Sequence, residues 1–273
     1  PREAAETASE PTATAWAGGR PAQATPRRPA EVWWVPMDRL GAALDAARRL
    51  PSPRAVVLTD DAGAGSPEAA AAAVARVRAD LGVDVELGWR GSDLDGQGVA
   101  RALAAVEAGV GRVYAALAQW GRPPSVTPLD QLVVNLALEY PERAPEGLAE
   151  LIPLCEDLAL RAGRPIPPGY PVLGRDAFRT ATGVHAAAIG KALARGEPAL
   201  ADRVYSAVPA QRFGRHQIVE IGPLSGMANV RAWFRDRGWP TDEARGRALL
   251  EYAKRMDRVL DEAEVRAFLS GRG

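Results

Sequence analysis

The chain has 273 residues, 47% hydrophobic and 25% charged, enough apolar material to bury a core in one domain with an appendage. Lys plus Arg and Asp plus Glu both number 34, so the formal net charge is zero, which speaks against a nucleic-acid footprint or an anionic membrane partner. The one cysteine, Cys155, excludes an internal disulfide and fits a reduced, cytoplasmic setting, and neither a run of ~20 apolar residues nor a signal peptide is legible.

Residues 1–31 are rich in Ala, Pro, Thr, Glu and Arg and read as a disordered tail or linker. A βα rhythm then begins. Val32-Trp33-Trp34-Val35 is a short apolar run, followed by a helical pattern through Leu40, Leu44 and Leu50. Ala55-Val56-Val57-Leu58 is the next strand, and its end carries Asp60 and Asp61. Ser66 and Pro67 open an Ala-rich helix to about Leu81, as N-cap and first helical residue. Val83 to Trp89 reads as a third strand, Gly98 to Ala108 as a third helix, Arg112 to Leu117 as a fourth strand and Leu129 to Leu138 as a fourth helix. Strands alternating with helices at this spacing predict parallel βαβ units. Four of them make a partial (β/α) barrel over residues 32–140.

The pattern changes from Pro141. Leu148 to Ala162 is an amphipathic helix, and Pro165, Pro167, Pro168 and Pro171 then hold an extended segment. Short helices are expected around Ala177–Ala194 and Met227–Arg237. Thr241 to Leu269 reads as two helices, the second capped by Asp261 with Glu264 at the capping-box position. The expected organisation is an α/β domain over 32–140, a linker subdomain over 141–230 and a helical subdomain over 231–273.

Residue by residue, the chemistry is thin. Asp60-Asp61 at a strand end suits a metal or a base, though such carboxylates more often cap a turn or the next helix. Gly96-Gln97-Gly98 lacks the rest of a dinucleotide fingerprint. Ser206 and Ser225 have no Asp/His arrangement beside them in sequence, Cys155 lies on an apolar helix face, and His216 follows Arg215 in a polar stretch. Taken alone, His185 is a satisfied core histidine and Tyr205 a core or interface residue.

Three longer segments add a resemblance. They are Gly174-Arg175-Asp176-Ala177-Phe178-Arg179-Thr180-Ala181-Thr182-Gly183-Val184-His185, then Ala201-Asp202-Arg203-Val204-Tyr205-Ser206-Ala207-Val208-Pro209, and Glu220-Ile221-Gly222-Pro223-Leu224-Ser225-Gly226. With Leu103-Ala104-Ala105-Val106-Glu107-Ala108-Gly109 and Thr127-Pro128-Leu129-Asp130, the chain from about 32 to 270 resembles the isopropylmalate and homocitrate synthase family. The resemblance implies a metal-dependent barrel in which a divalent ion holds a 2-oxo acid, an acyl-CoA thioester is deprotonated and adds to the ketone, and the thioester is then hydrolysed.

The resemblance also shows departures. Where the family reads His-Gly-His-Asn-Asp, this chain has Arg90-Gly91-Ser92-Asp93-Leu94. Where it reads Gly-Glu-Arg-Ala-Gly-Asn, this chain has Gly121-Arg122-Pro123-Pro124-Ser125-Val126. The two imidazole ligands and the Asn ligand are replaced, and the family's first four strands have no counterpart. Asp60 is kept, with Asp61 in place of a Thr. Ser, Arg and Val do not make a divalent site. His185 and Tyr205, in contrast, match the pair that the family is thought to insert into a neighbouring subunit's barrel, where a His relays protons and a Tyr hydroxyl supports it.

The site residues expected from this are therefore His185, Tyr205 and Asp60, with no metal bound by this chain alone and with an acyl-CoA and a divalent metal in a partner subunit. The expected partner is a full-length synthase-like chain or a second copy in an obligate oligomer, with no nucleic acid and no membrane. Three functions stay open: a non-catalytic or half-catalytic synthase subunit, a free-standing acyl-CoA-dependent enzyme with metal-free chemistry using Asp60, Asp61 or His185, and a sensor in which Arg90 and Arg122 hold a carboxylate or phosphates.

Overall fold

The computed structural model describes residues 32–47, 53–63, 65–120, 126–144 and 146–271. The expected tail over 1–31 and Arg122, with the rest of 121–125, lie outside the described residues. The chain divides into two compact units, one up to residue 145 and one from Glu146.

In the first unit the β-branched and aromatic runs are extended and pair in parallel. Strands β1 (Val32–Pro36), β2 (Ala55–Asp60), β3 (Glu86–Gly91) and β4 (Arg112–Tyr114) follow one another in the order β1-β2-β3-β4. Helices α1 (Leu40–Ala47), α2 (Pro67–Leu81), α3 (Gly98–Glu107) and α4 (Leu129–Glu139) alternate with them. The register puts Val35, Leu58 and Trp89 on one face, and Val56 and Leu87 join them there. That face meets Val74, Val77, Ala102 and Ala105 of the helices in a buried core. Small alanines on the helices let them approach the sheet closely, and the bulk of the core comes from the strands. On the other face Trp34, Val57 and Gly88 share a register row. The Trp34 and Tyr114 rings meet there, 5.0 Å apart, joining the first strand to the last. A Cβ on Gly88 would stand 3.1 Å from Val57 and 3.4 Å from the Tyr114 ring, so the bare glycine makes room for that contact.

Two strands are shorter than the pattern predicts. The third starts at Glu86, not Val83. Arg78, in the last turn of α2, donates to the carbonyls of Gly82, Val83 and Val85 at 3.1, 3.1 and 2.8 Å, which folds this segment over the helix end and leaves Val83 exposed. The fourth ends at Tyr114, not Leu117. Ala116 N–H turns to the Thr127 carbonyl at 3.0 Å, and Ala118 adopts a left-handed conformation (φ 47°) held by a 2.6 Å bond from its N–H to Asp130 Oδ1. Ser66 caps α2 as expected, its hydroxyl accepting from Ala69 N–H at 3.2 Å with Pro67 in the first turn.

The second unit holds α5 (Leu151–Ala162), α6 (Gly183–Ala194), α7 (Pro198–Ala201), α8 (Met227–Asp236), α9 (Glu243–Ala253) and α10 (Glu262–Leu269), with a two-stranded parallel pair, β5 (Arg179–Thr180) and β6 (Ile218–Val219). The helix expected from Ala177 begins only at Gly183. Residues 174–180 instead spend their backbone groups on a turn and on β6: Asp176 N–H goes to the Pro168 carbonyl at 2.9 Å, and the Phe178 carbonyl takes Ile218 N–H at 2.8 Å. Ile221, Val230, Trp233, Leu249 and Leu260 are all but fully buried in one cluster with α9 and α10, while Ala186, Ile189, Ala201 and Val219 form a second. Cys155 is buried on the apolar face of α5 and His216 is exposed, both as the sequence suggests.

The helix α10 is short and starts with a reciprocal cap. Asp261 Oδ1 accepts Glu264 N–H at 2.8 Å and Glu264 Oε2 accepts Asp261 N–H at 3.0 Å. Val265 and Leu269 then reach the core. Asp261→Ala should destabilise the second unit by about 1 kcal/mol, read as a lower urea midpoint at unchanged slope. An unchanged midpoint would mean that the packing of Val265 and Leu269, not the cap, sets where α10 begins.

Candidate functional site

Parallel strands gather their carboxyl ends on one edge of a sheet, which is where barrel enzymes carry their chemistry. On that edge β2 ends in buried Asp60, and β3 runs through Arg90 and Gly91 into buried Ser92 and Asp93. The edge is tied by backbone bonds: Ser92 N–H to the Asp60 carbonyl at 2.9 Å and Thr127 N–H to the Gly91 carbonyl at 3.0 Å, with Ser92 and Val126 forming an isolated bridge. Asp93 caps the start of α3, accepting Gly98 N–H at 2.7 Å, and leaves no space for a Cβ on Gly98.

The centre of this edge is a guanidinium. Arg101 projects from the buried face of α3 and is only 1% exposed. It donates to Asp95 through two nitrogens at 2.9 and 2.5 Å, to the Gly63 carbonyl at 2.7 Å, to the Ser92 carbonyl at 3.4 Å and to the Gly65 carbonyl, while Asp60 Oδ2 lies 3.7 Å from Nε. The Arg101 side chain holds the Asp95 carboxyl below its ordinary value through this hydrogen bond, although burial pushes the other way. Arg90 reaches Asp61 in a second ion pair. A fixed positive charge therefore faces each member of the Asp60-Asp61 pair, and among the described residues no three His, Cys, Asp or Glu side chains gather as a metal-binding set. The residues on this edge do not fit a divalent ion.

His185 and Tyr205 belong to the second unit, and the structure brings them together. Gly183 opens α6 and puts His185 in its first turn, and Tyr205 follows α7. Their rings stack face to face, centroids 4.6 Å apart and planes within 5°. His185 Nδ1 lies 3.0 Å from the hydroxyl of Thr180. Asp202, 5% exposed, sits three residues before Tyr205. Its Oδ2 accepts Gln211 N–H at 3.1 Å and its carbonyl accepts from Gln217 at 2.6 Å. Burial, and then the charge of Asp202, push the Tyr205 phenol up to about 12. The hydroxyl stays protonated at neutral pH, and among the described residues it has no hydrogen-bond partner. Ser225, by contrast, is spent on the backbone: its hydroxyl donates to the Ala181 carbonyl at 2.7 Å and accepts Gly222 N–H at 2.9 Å.

Of the three residues expected at the site, Asp60 lies in a different unit from the stacked pair. Sequence reading passed over Arg101, Thr180 and Asp202. Arg101 carries a weak signal, a lone charge at helical spacing with Gly98, Ala102 and Ala105. Asp202 stands at a one-turn spacing from Tyr205. Thr180 gives none, because the strand-to-helix turn that sets its distance to His185 has no period.

The fold is thus an α/β one, with parallel βα units followed by a mostly helical unit that presents a stacked His–Tyr pair. The chain is homologous to the condensing synthases named for citramalate, homocitrate and isopropylmalate. It is 29% identical over 217 residues to a putative (R)-citramalate synthase of Methanopyrus kandleri, covering 76% of this chain and 40% of that one. It is 30% identical over 225 residues to a homocitrate synthase of the same organism, covering 79% and 53%. A 2-isopropylmalate synthase of Solidesulfovibrio magneticus is 29% identical over 175 residues, covering 61% and 32%. The chain thus spans about a third to a half of the length of these relatives. No protein-family model matches it. Among solved structures it is similar to an HMG-CoA lyase from Acinetobacter baumannii (TM-score 0.41, 21% identity, half of each chain) and to the carboxyl transferase domain of Rhizobium etli pyruvate carboxylase (TM-score 0.38, 22% identity, 85% of this chain and 41% of that one). The described residues contain no helix long and apolar enough to cross a membrane.

Two measurements test these clusters. Arg101→Met takes the donor away from the Gly63, Gly65 and Ser92 carbonyls and should cost about 1–3 kcal/mol, whereas Arg90→Met, at an exposed pair, should cost under about 1 kcal/mol; equal costs in chemical denaturation would remove Arg101 from its central place. In a difference titration against Tyr205→Phe, tyrosinate absorbance from Tyr205 should stay absent through about pH 11, and Asp202→Asn should bring it in earlier. The sign for stability follows: the raised phenol contributes stability that is present below about pH 10 and lost as the pH rises toward about 12.

Proposed function

We propose that this chain is a component of an acyl-CoA:2-oxo acid condensing synthase that holds no divalent metal itself and lends His185 and Tyr205 to a metal-bearing barrel on a partner chain, in the cytoplasm. The observation that carries the reading is the stacked His185–Tyr205 pair, with a phenol held protonated and unspent. In the first unit, by comparison, the Asp60 and Asp61 carboxylates already face guanidinium groups. The homology to condensing synthases supports the reaction class.

In a condensation of this class a proton leaves the carbon beside a thioester, negative charge gathers on the thioester oxygen, and the carbon adds to a ketone. A divalent ion, bound by the partner, would polarise the ketone. The residues of this chain serve the thioester side. Tyr205 offers an O–H that keeps its proton near neutral pH, so it acts as a hydrogen-bond donor to oxygen and not as a base. His185, stacked on it, has a ring nitrogen with which to meet the same oxygen.

The metal-free alternative would have to draw its base from Asp60, against Arg101, or from Asp61, paired with Arg90. The sensor alternative loses Arg90 as an open anion contact for the same reason. Both therefore have less support than the subunit reading.

The complex purified from the native host decides the matter. His185→Ala or Tyr205→Phe should lower its turnover by ~10²–10⁴-fold while subunit stoichiometry stays unchanged. Wild-type turnover with both substitutions in an intact complex would make the pair purely structural.

A further inference from the structure

A histidine that serves a reacting oxygen must carry its proton on a defined ring nitrogen, and two contacts of Thr180 decide which one. Thr180 ends β5 and is 7% exposed, with its carbonyl fixed by Glu220 N–H at 2.8 Å. Its hydroxyl oxygen lies 3.0 Å from His185 Nδ1 and accepts the backbone N–H of Thr182 at 3.3 Å. A hydroxyl has one proton to give and two lone pairs to receive with. The Thr182 amide can only donate, so of these two groups the ring nitrogen is the one able to take the hydroxyl proton. The opposite tautomer, with the proton on Nδ1, would aim two donors at the one buried oxygen and leave its own proton without either group as acceptor.

We infer that Thr180 is a positioning residue: its hydroxyl donates to Nδ1 of His185, so the neutral imidazole is held with its proton on Nε2. The inference rests on the proposed function and sharpens it. With Nδ1 engaged, the ring meets a ligand through an Nε2–H donor. The ring is stacked within 5° on Tyr205, whose own hydroxyl is a donor. An Nε2–H donor is matched to an oxygen on which negative charge builds, such as a thioester carbonyl becoming an enolate. It is not matched to the removal of a proton from carbon, which falls to another group in the complex.

The test needs neither partner nor turnover. Long-range 1H–15N correlation spectra of the 15N-labelled chain distinguish the two neutral tautomers, and with two histidines in the sequence His216→Gln assigns the signals of His185. The expected wild-type spectrum is that of a single Nε2–H tautomer. Thr180→Val, which removes the hydroxyl, should lose that single pattern, and Thr180→Ser should restore it. An Nδ1–H tautomer in the wild type, or an unchanged pattern in Thr180→Val, overturns the inference. Because this readout is spectroscopic, its failure is distinct from wild-type turnover in the His185→Ala complex, which would sink the proposed function and leave the tautomer standing.

Discussion

A guanidinium carries five N–H donors in one plane and does not give up its proton, so a chain that buries one must bring acceptors to it from several directions. Arg101 imposes this on the first unit. The loop after β2 brings the Gly63 and Gly65 carbonyls, and the loop after β3 brings the Ser92 carbonyl and the Asp95 carboxylate. Two loops that share no strand are thereby fixed to one side chain, and with them the positions of Asp60 and Asp93. The sequence positions that the resemblance assigns to metal ligands sit on this same edge. An internal cation with fixed geometry organises the edge. Ser92 and Val126 meet instead through a backbone bridge.

The second unit follows the opposite economy. Most of its buried polar groups are tightly spent: Ser225 on two backbone partners, Asn229 on the Glu220 carbonyl and the Gly226 N–H, Glu220 on Arg179. These bonds shape the turn between β6 and α8, and so the segment on which α6 and its His185 rest. The Tyr205 hydroxyl, like Gln217 Oε1 and Trp233 Nε1, is buried without a hydrogen-bond partner among the described residues. Burial penalties of that kind concentrate where a protein meets a ligand, and here the penalty lies against the ring of the histidine that the resemblance singles out.

Much of the fold is legible in the sequence because its signals are local. Ser66 with Pro67 and Asp261 with Glu264 mark helix starts within a few residues of themselves, and the apolar runs of β1 and β2 are extended where they should be. The errors fall where a distant group takes over the backbone. Val83 has the composition of a strand residue, yet Arg78 draws its carbonyl back over a helix end. Ala177 has the composition of a helix residue, yet its neighbours are committed to Pro168 and Ile218. The His185–Tyr205 pair is visible as two matched motifs but not as a stack, since nothing in either segment encodes the other. Arg101 and Thr180 stay hidden for the same reason: their roles are defined by carbonyls, an amide and a ring nitrogen that no spacing rule connects to them.

The contact between Trp34 and Tyr114 has a consequence for how the first unit assembles. Each strand pairs with the next in sequence, so the sheet can grow unit by unit through closures of short loops, each with a small entropic cost. The ring contact over Gly88 is different, since it joins the outermost strands and can form only after the two between them are in register. It stands last in the order of events. An indole that is half exposed, with a phenol ring against it, is also a natural optical probe, so in a chain whose other six tryptophans are replaced by phenylalanine the fluorescence of Trp34 would mark the arrival of the fourth strand during refolding.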